Sequence, residues 1–112
     1  MVDLRFLGKF TKGDSKKMKR YISLYIDVAP KTFEEMQRNL ENEDWEQLRI
    51  NAHSLKPQSD FMGISALKNT LVKIEEAVKE EKFDDINKYF TLAKSISIDS
   101  TNSLKNILIE LK

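Results

Sequence analysis

The sequence predicts an all-α fold, an up-and-down antiparallel four-helix bundle with a short additional N-terminal helix. Two observations carry that prediction. Apolar residues recur at alternating steps of three and four along successive stretches, the stripe of an amphipathic helix packed on one side. Only three glycines and two prolines punctuate the 112 residues, so little interrupts such helices. Stripes of this kind are buried by packing helix on helix.

Val2 to Lys9 is read as the short leading helix, closed by Gly8 or by Gly13. Met18, Tyr21, Ile22, Tyr25 and Ile26 then mark one helical face, which Phe33, Met36 and Leu40 continue after Pro30. Pro30 either kinks one long helix or starts a second at its first turn, where proline is tolerated. From Asp44 onward, Trp45, Leu48, Ala52, Leu55, Ser59 and Met62 form the next stripe, which ends at Gly63. Ile64, Leu67, Leu71, Ile74 and Val78 form another. The two should make an antiparallel hairpin through Gly63, with helices of about 17 residues, or about 25 Å, each. Phe83, Ile86, Phe90, Ala93, Ser97, Ser100, Leu104, Ile107 and Leu111 keep the spacing to the end. Ser97 and Ser100, near Asp99-Ser100-Thr101-Asn102, weaken helix propensity and are expected to bend the last helix. The methionines and aromatics on these stripes are read as core.

Composition bounds the function. At 112 residues, with 40% hydrophobic and 33% charged residues, the chain fits a single domain, 1–112, with one core and no linker or repeat. A net charge of +1 leaves no electrostatic footprint for nucleic acid. Without cysteine there is no disulfide or thiolate chemistry. No stretch reads as a signal peptide or a membrane span of about 20 apolar residues, so no membrane association and a cytoplasmic location are expected. A monomer is expected, and the initial Met with a full set of helices leans to a free-standing protein.

His53 is the only histidine, and one imidazole cannot hold a metal alone; no metal site is expected. With each residue turned by about 100°, His53 falls about 135° from the centre of its helix's apolar stripe and points to solvent. A structural histidine belongs on or beside the buried face, whereas this one projects among Glu46, Arg49, Ile50, Lys56, Pro57 and Asp60. A neutral imidazole keeps a lone pair on one ring nitrogen and can attack phosphorus. The phosphoryl group it gains brings about 1.5 to 2 negative charges, which nearby cations stabilise. Lys56 at plus three and Arg49 at minus four are the cations a helix sets beside position 53, although each would otherwise be a solvated surface charge. On the same angular count Ile50 and Phe61 lie about 165° and 145° from the stripe centre, away from the core of this helix. A docking surface is therefore expected on the His53 face, at Ile50, Pro57, Asp60, Phe61 and Gly63. Packing of Ile50 or Phe61 against a neighbouring helix is the competing explanation.

The segment AHSLKPQSDFMGISALKNTLVKIEE resembles the signature of histidine-containing phosphotransfer (HPt) domains, Ala-His-x-Leu-Lys-Gly followed by a Gly ten residues after the His, here Gly63. Leu67, Ile74 and Glu75 follow in register. The Asp-Trp-Glu-Gln-Leu-Arg before the His and the Tyr-Ile-x-x-Tyr-Ile helix before Pro30 are also similar, so the likeness runs from about Gly13 to the C-terminus. It implies that His53 is the phosphoryl acceptor and that Lys56 helps hold the phosphate. It also implies that Glu75 hydrogen-bonds the other ring nitrogen and fixes its tautomer; the alternative is an ordinary acidic residue on a helix surface. One departure is plain: Pro57 stands where the family has Gly. Proline withholds the amide that would bond the His53 carbonyl and costs about 3 kcal/mol in a helix interior relative to Ala. A local bend or irregularity after Lys56 is expected, with phosphotransfer retained.

The leading expectation is thus a phosphorelay intermediate. His53 takes a phosphoryl group from the aspartate of one receiver domain, in a hybrid histidine kinase or a response regulator, and passes it to another. Such a protein is a phosphocarrier rather than an enzyme, and no Gly-rich phosphate loop is visible. It needs no cofactor of its own; the Mg²⁺ comes with the receiver. The alternative, kept open by Pro57, is a bundle that binds and inhibits a receiver or kinase without being phosphorylated. A hydrolase using His53 with Glu75 or Glu76 lacks a second nucleophile, a second histidine and a closed pocket.

Overall fold

A computed structural model describes residues 1–111. Five α-helices follow one another among them: α1 (Arg5–Phe10), α2 (Ser15–Glu41), α3 (Trp45–Phe61), α4 (Ser65–Lys79) and α5 (Phe83–Glu110). α2 packs on α3, α3 on α4 and α4 on α5, while α5 returns to α2 and closes the ring of a four-helix bundle. The long dimension of 45 Å matches α5, whose 28 residues rise about 42 Å at about 1.5 Å each.

The stripes meet at the centre. Ile22 and Met36 from α2, Leu48 and Leu55 from α3, Leu67, Leu71 and Ile74 from α4, and Ile86 and Leu104 from α5 are completely buried. Each such side chain contributes about 1.5–3 kcal/mol of burial free energy, so the helices hold together by their shared face. Two starts are capped by aspartate side chains: Asp14 accepts from the amides of Lys16 and Lys17, and Asp44 from that of Gln47. The three bundle turns share one device. A residue at positive φ (Glu43 at 54°, Gly63 at 69°, Glu81 at 57°) is followed by an amide that reaches back five residues, from Asp44 to Asn39, Ile64 to Ser59 and Lys82 to Ala77. These bonds satisfy the last carbonyls of each helix.

Several expectations are corrected. The leading helix begins at Arg5 rather than Val2; Gly8 lies inside it, and the chain turns out at Gly13, φ 74°. Of the two readings of Pro30, the single long helix is the one observed: α2 runs through it and no second helix starts there. Pro57 does not break α3, which continues to Phe61. α5 likewise runs unbroken past Ser97 and Ser100. The two serines and Thr101 are buried, so they act as small residues on the packed face rather than as helix breakers.

α1 lies across the α2–α3 end of the bundle. Leu7 is fully buried, while the rings of Phe6, Phe10, Tyr21 and Phe61 meet edge to face at 5.2 to 5.8 Å. The chain before α1 is strapped to the α3–α4 turn by the Asp3 amide, which donates to the Gly63 carbonyl at 3.1 Å. A β-carbon on Gly63 would stand 1.7 Å from the Asp3 carbonyl oxygen, so close approach as well as the positive φ requires glycine there. Among the described residues no helix is long and apolar enough to cross a membrane, and no cluster of three His, Cys, Asp or Glu could hold a metal ion.

Candidate functional site

Leu48, Ala52, Leu55 and Ser59 turn inward on α3, which leaves position 53 on the outer surface. The His53 side chain is 64% exposed, as the stripe predicts. Its ring is nevertheless anchored. Glu75, on α4 between the buried Ile74 and Ala77, brings Oε2 to 3.1 Å from His53 Nδ1. The other oxygen, Oε1, lies 3.0 Å from Lys56 Nζ as an ion pair outside the preferred hydrogen-bond direction.

One carboxylate therefore binds two groups of α3 separated by one helical turn. Only 8% of the Glu75 side chain is exposed. Burial pushes its carboxyl up, but the contacts with Lys56 and His53 outweigh that effect and hold it below the ordinary glutamate range. An ionised carboxylate only accepts hydrogen bonds. The proton between Glu75 and His53 consequently sits on Nδ1, and the lone pair of the neutral ring is on Nε2. Glu75 is no ordinary surface acid.

Lys56 is not the free surface charge that its position suggested: its side chain is 26% exposed and it compensates a buried carboxylate. Arg49 is half-buried on the same flank, with its Nε 2.6 Å from Glu46 Oε1, and its positive charge also acts on Glu75. Asp60 is exposed and makes a long ion pair with Lys68 across the α3–α4 seam, at 3.9 Å. The polar groups gather on the α4 side of His53.

The α2 side is apolar. Ile50 and Pro57 are exposed as expected, but Phe61 is half-buried in the aromatic cluster under α1, so the packing explanation holds for it and not for Ile50. Gly63 is half-buried, with the Asp3 backbone against the side where a β-carbon would stand, and it shapes the α3–α4 turn. The sequence reading missed α2 as the other wall. Tyr21, Leu24 and Val28 line a groove of about 400 Å³ with Pro57 and Phe61, and Leu24 and Val28 are exposed. Leu24 and Val28 stood apart from the α2 core stripe of Ile22, Tyr25 and Ala29, a signal that could have found them.

The Hpt domain family model matches residues 20–111, most of the chain, and the chain belongs to this family of histidine phosphotransfer domains, which act in phosphorelay signalling. Its helical bundle is also that of the crystal structure of histidine-containing phosphotransfer protein B (HptB) from Pseudomonas aeruginosa PAO1. The two superpose with a TM-score of 0.91 over 99% of this chain and 96% of that one, at 16% sequence identity. A comparison with curated protein sequences gives no match.

Proposed function

We propose that His53 is the phosphoryl acceptor of a phosphorelay intermediate, taking its phosphoryl group from the aspartate of one receiver domain and returning it to that of another. The observation that carries this reading is the anchored, exposed ring: Nδ1 is occupied by Glu75 while 64% of the side chain faces solvent. The Nε2 lone pair attacks phosphorus, the bond to the aspartyl oxygen breaks, and the carboxylate leaves. The positive charge that develops on the ring is balanced by Glu75 through Nδ1–H. Lys56 and Arg49 lie close enough along α3 to stabilise the phosphoryl oxygens. The Mg²⁺ for transfer is supplied by the receiver, and the protein acts as a carrier with no catalytic turnover of its own.

The receiver docks on the apolar side, on Ile50 and Pro57 of α3 and on Leu24 and Val28 of α2, with Asp60 at the polar edge of the contact towards α4 and Nε2 beside it. Exposed apolar groups clustered around a reactive centre are the usual mark of such a surface. The test is transfer from phosphorylated receivers of the source, followed in time, with His53→Gln as the blank. Leu24→Glu and Ile50→Glu should weaken receiver binding and transfer more than Glu41→Lys or Lys88→Glu. Tight receiver binding with no label on His53 would favour the inhibitory bundle instead.

A further inference from the structure

Neither the acceptor ring nor its docking face uses the opposite seam of the bundle, where α5 returns to α2. There Ser97 and Thr101 occupy inward positions that a long apolar side chain would fill in a tightly packed bundle. The result is a groove of about 500 Å³, walled by Phe33 of α2 and by Ile98 of α5, which is 53% exposed. This lies within the range of about 300–1,000 Å³ typical of small-molecule sites.

Two further features define what the groove would hold. Arg38, Lys94 and Lys105 stand around it against one acid, Glu34, and none of the three cations makes an ion pair among the described residues. Thr101, 7% exposed, forms part of the wall, and its Oγ1 is buried without a partner in the protein.

We infer that the α2–α5 groove is a binding site for a small amphiphilic carboxylate, its apolar body between Phe33 and Ile98 and its anionic head held by the cations Arg38, Lys94 and Lys105 at its rim. The acceptor chemistry of His53 is independent of it, since α2 and α5 contribute nothing to the His53–Glu75–Lys56 contacts.

The probes are decanoate and, as its uncharged counterpart, decanol, titrated below micellar concentration into the full chain and followed by amide chemical shifts. Decanoate should produce saturable shifts within residues 30–38 and 94–105. Arg38→Gln with Lys105→Gln, both exposed and so harmless to folding, should weaken decanoate at least about tenfold, or about 1.4 kcal/mol, and leave decanol unchanged. Ser97→Leu, which fills the groove, should abolish both. The inference is overturned if decanoate binds elsewhere or not at all, or if the double variant binds it as tightly as wild type. Shifts of the same residues on raising protein concentration without a probe would also overturn it, by showing that a second copy fills the groove.

Discussion

His53 Nδ1 lies 3.1 Å from Glu75 Oε2, so the ring is tied to the bundle through one nitrogen and meets solvent with the other. Because Glu75 is buried and ionised, the relationship fixes a tautomer as well as an orientation. Nitrogen chemical shifts of the ring should show neutral His53 protonated on Nδ1. In Glu75→Ala the proton should move towards Nε2, and transfer should slow by about tenfold or more as the ring loses its orientation. Glu75→Gln, which can still accept from Nδ1–H, should keep the tautomer. An unchanged tautomer in the alanine variant would count against the positioning role.

The same carboxylate gives a pH dependence with a definite sign. Its folded pKa is lowered, so its contribution to stability is present above the unfolded value of about 4.3 and is lost as pH falls through the lower folded value. Acid unfolding of the wild type should therefore steepen below about pH 4.3, and Glu75→Gln should flatten that limb. Parallel acid profiles in the two proteins would contradict the assignment.

Lys56→Ala should slow phosphotransfer and also destabilise the fold. An exposed ion pair is worth little, about 0–1 kcal/mol, but the partner of Lys56 is a buried carboxylate, and leaving it without a cation costs more. A loss of about 1–3 kcal/mol in denaturant melts is expected, with most of it recovered in Lys56→Ala/Glu75→Gln. Additive losses in the double variant would show that the two residues are not coupled.

How legible this site was depended on which side of His53 is considered. Angular counting along α3 placed the ring outward and the stripe inward, because 3.6 residues per turn is a property of a single helix. It could not see α1. The N-terminal segment crosses back over Phe61 and Gly63 through aromatic packing and one backbone bond, so Phe61 is covered although it faces away from its own helix's core. The docking wall on α2 was missed for the same reason, since Leu24 and Val28 come beside Pro57 only once α2 and α3 have paired. Glu75 was found by resemblance; periodicity would have left it a surface acid. The turns at Glu43 and Glu81 carried no glycine to announce a left-handed backbone. Low helix propensity at Pro57, Ser97 and Ser100 does not interrupt α3 or α5, because tertiary packing outweighs it.

Pro57 lies inside α3, and that settles the sign of its substitution. Pro57→Ala should stabilise the protein by up to about 3 kcal/mol, because it restores the amide to the His53 carbonyl and removes the ring clash. Pro57→Gly should gain less, as glycine costs about 1 kcal/mol in a helix. Thermal melts read both, and a lower melting temperature for the alanine variant would show that proline is accommodated without cost.

Gly63→Ala should release the N-terminal strap. The added β-carbon meets the Asp3 backbone and the positive φ disfavours it, so a loss of at least about 1 kcal/mol is expected. Hydrogen exchange should accelerate over residues 5–14 while the amides of α4 stay protected. Uniform acceleration across the chain would mean that α1 unfolds only with the bundle.

The central claim is that phosphate arrives on His53 at Nε2. The direct measurement is nitrogen–phosphorus correlation in ¹⁵N-histidine-labelled protein after incubation with a phosphorylated receiver and Mg²⁺. The account predicts one acid-labile phosphohistidine, coupled through Nε2, and none in His53→Gln. Phosphate on Nδ1, acid-stable label, or label surviving in His53→Gln would contradict it.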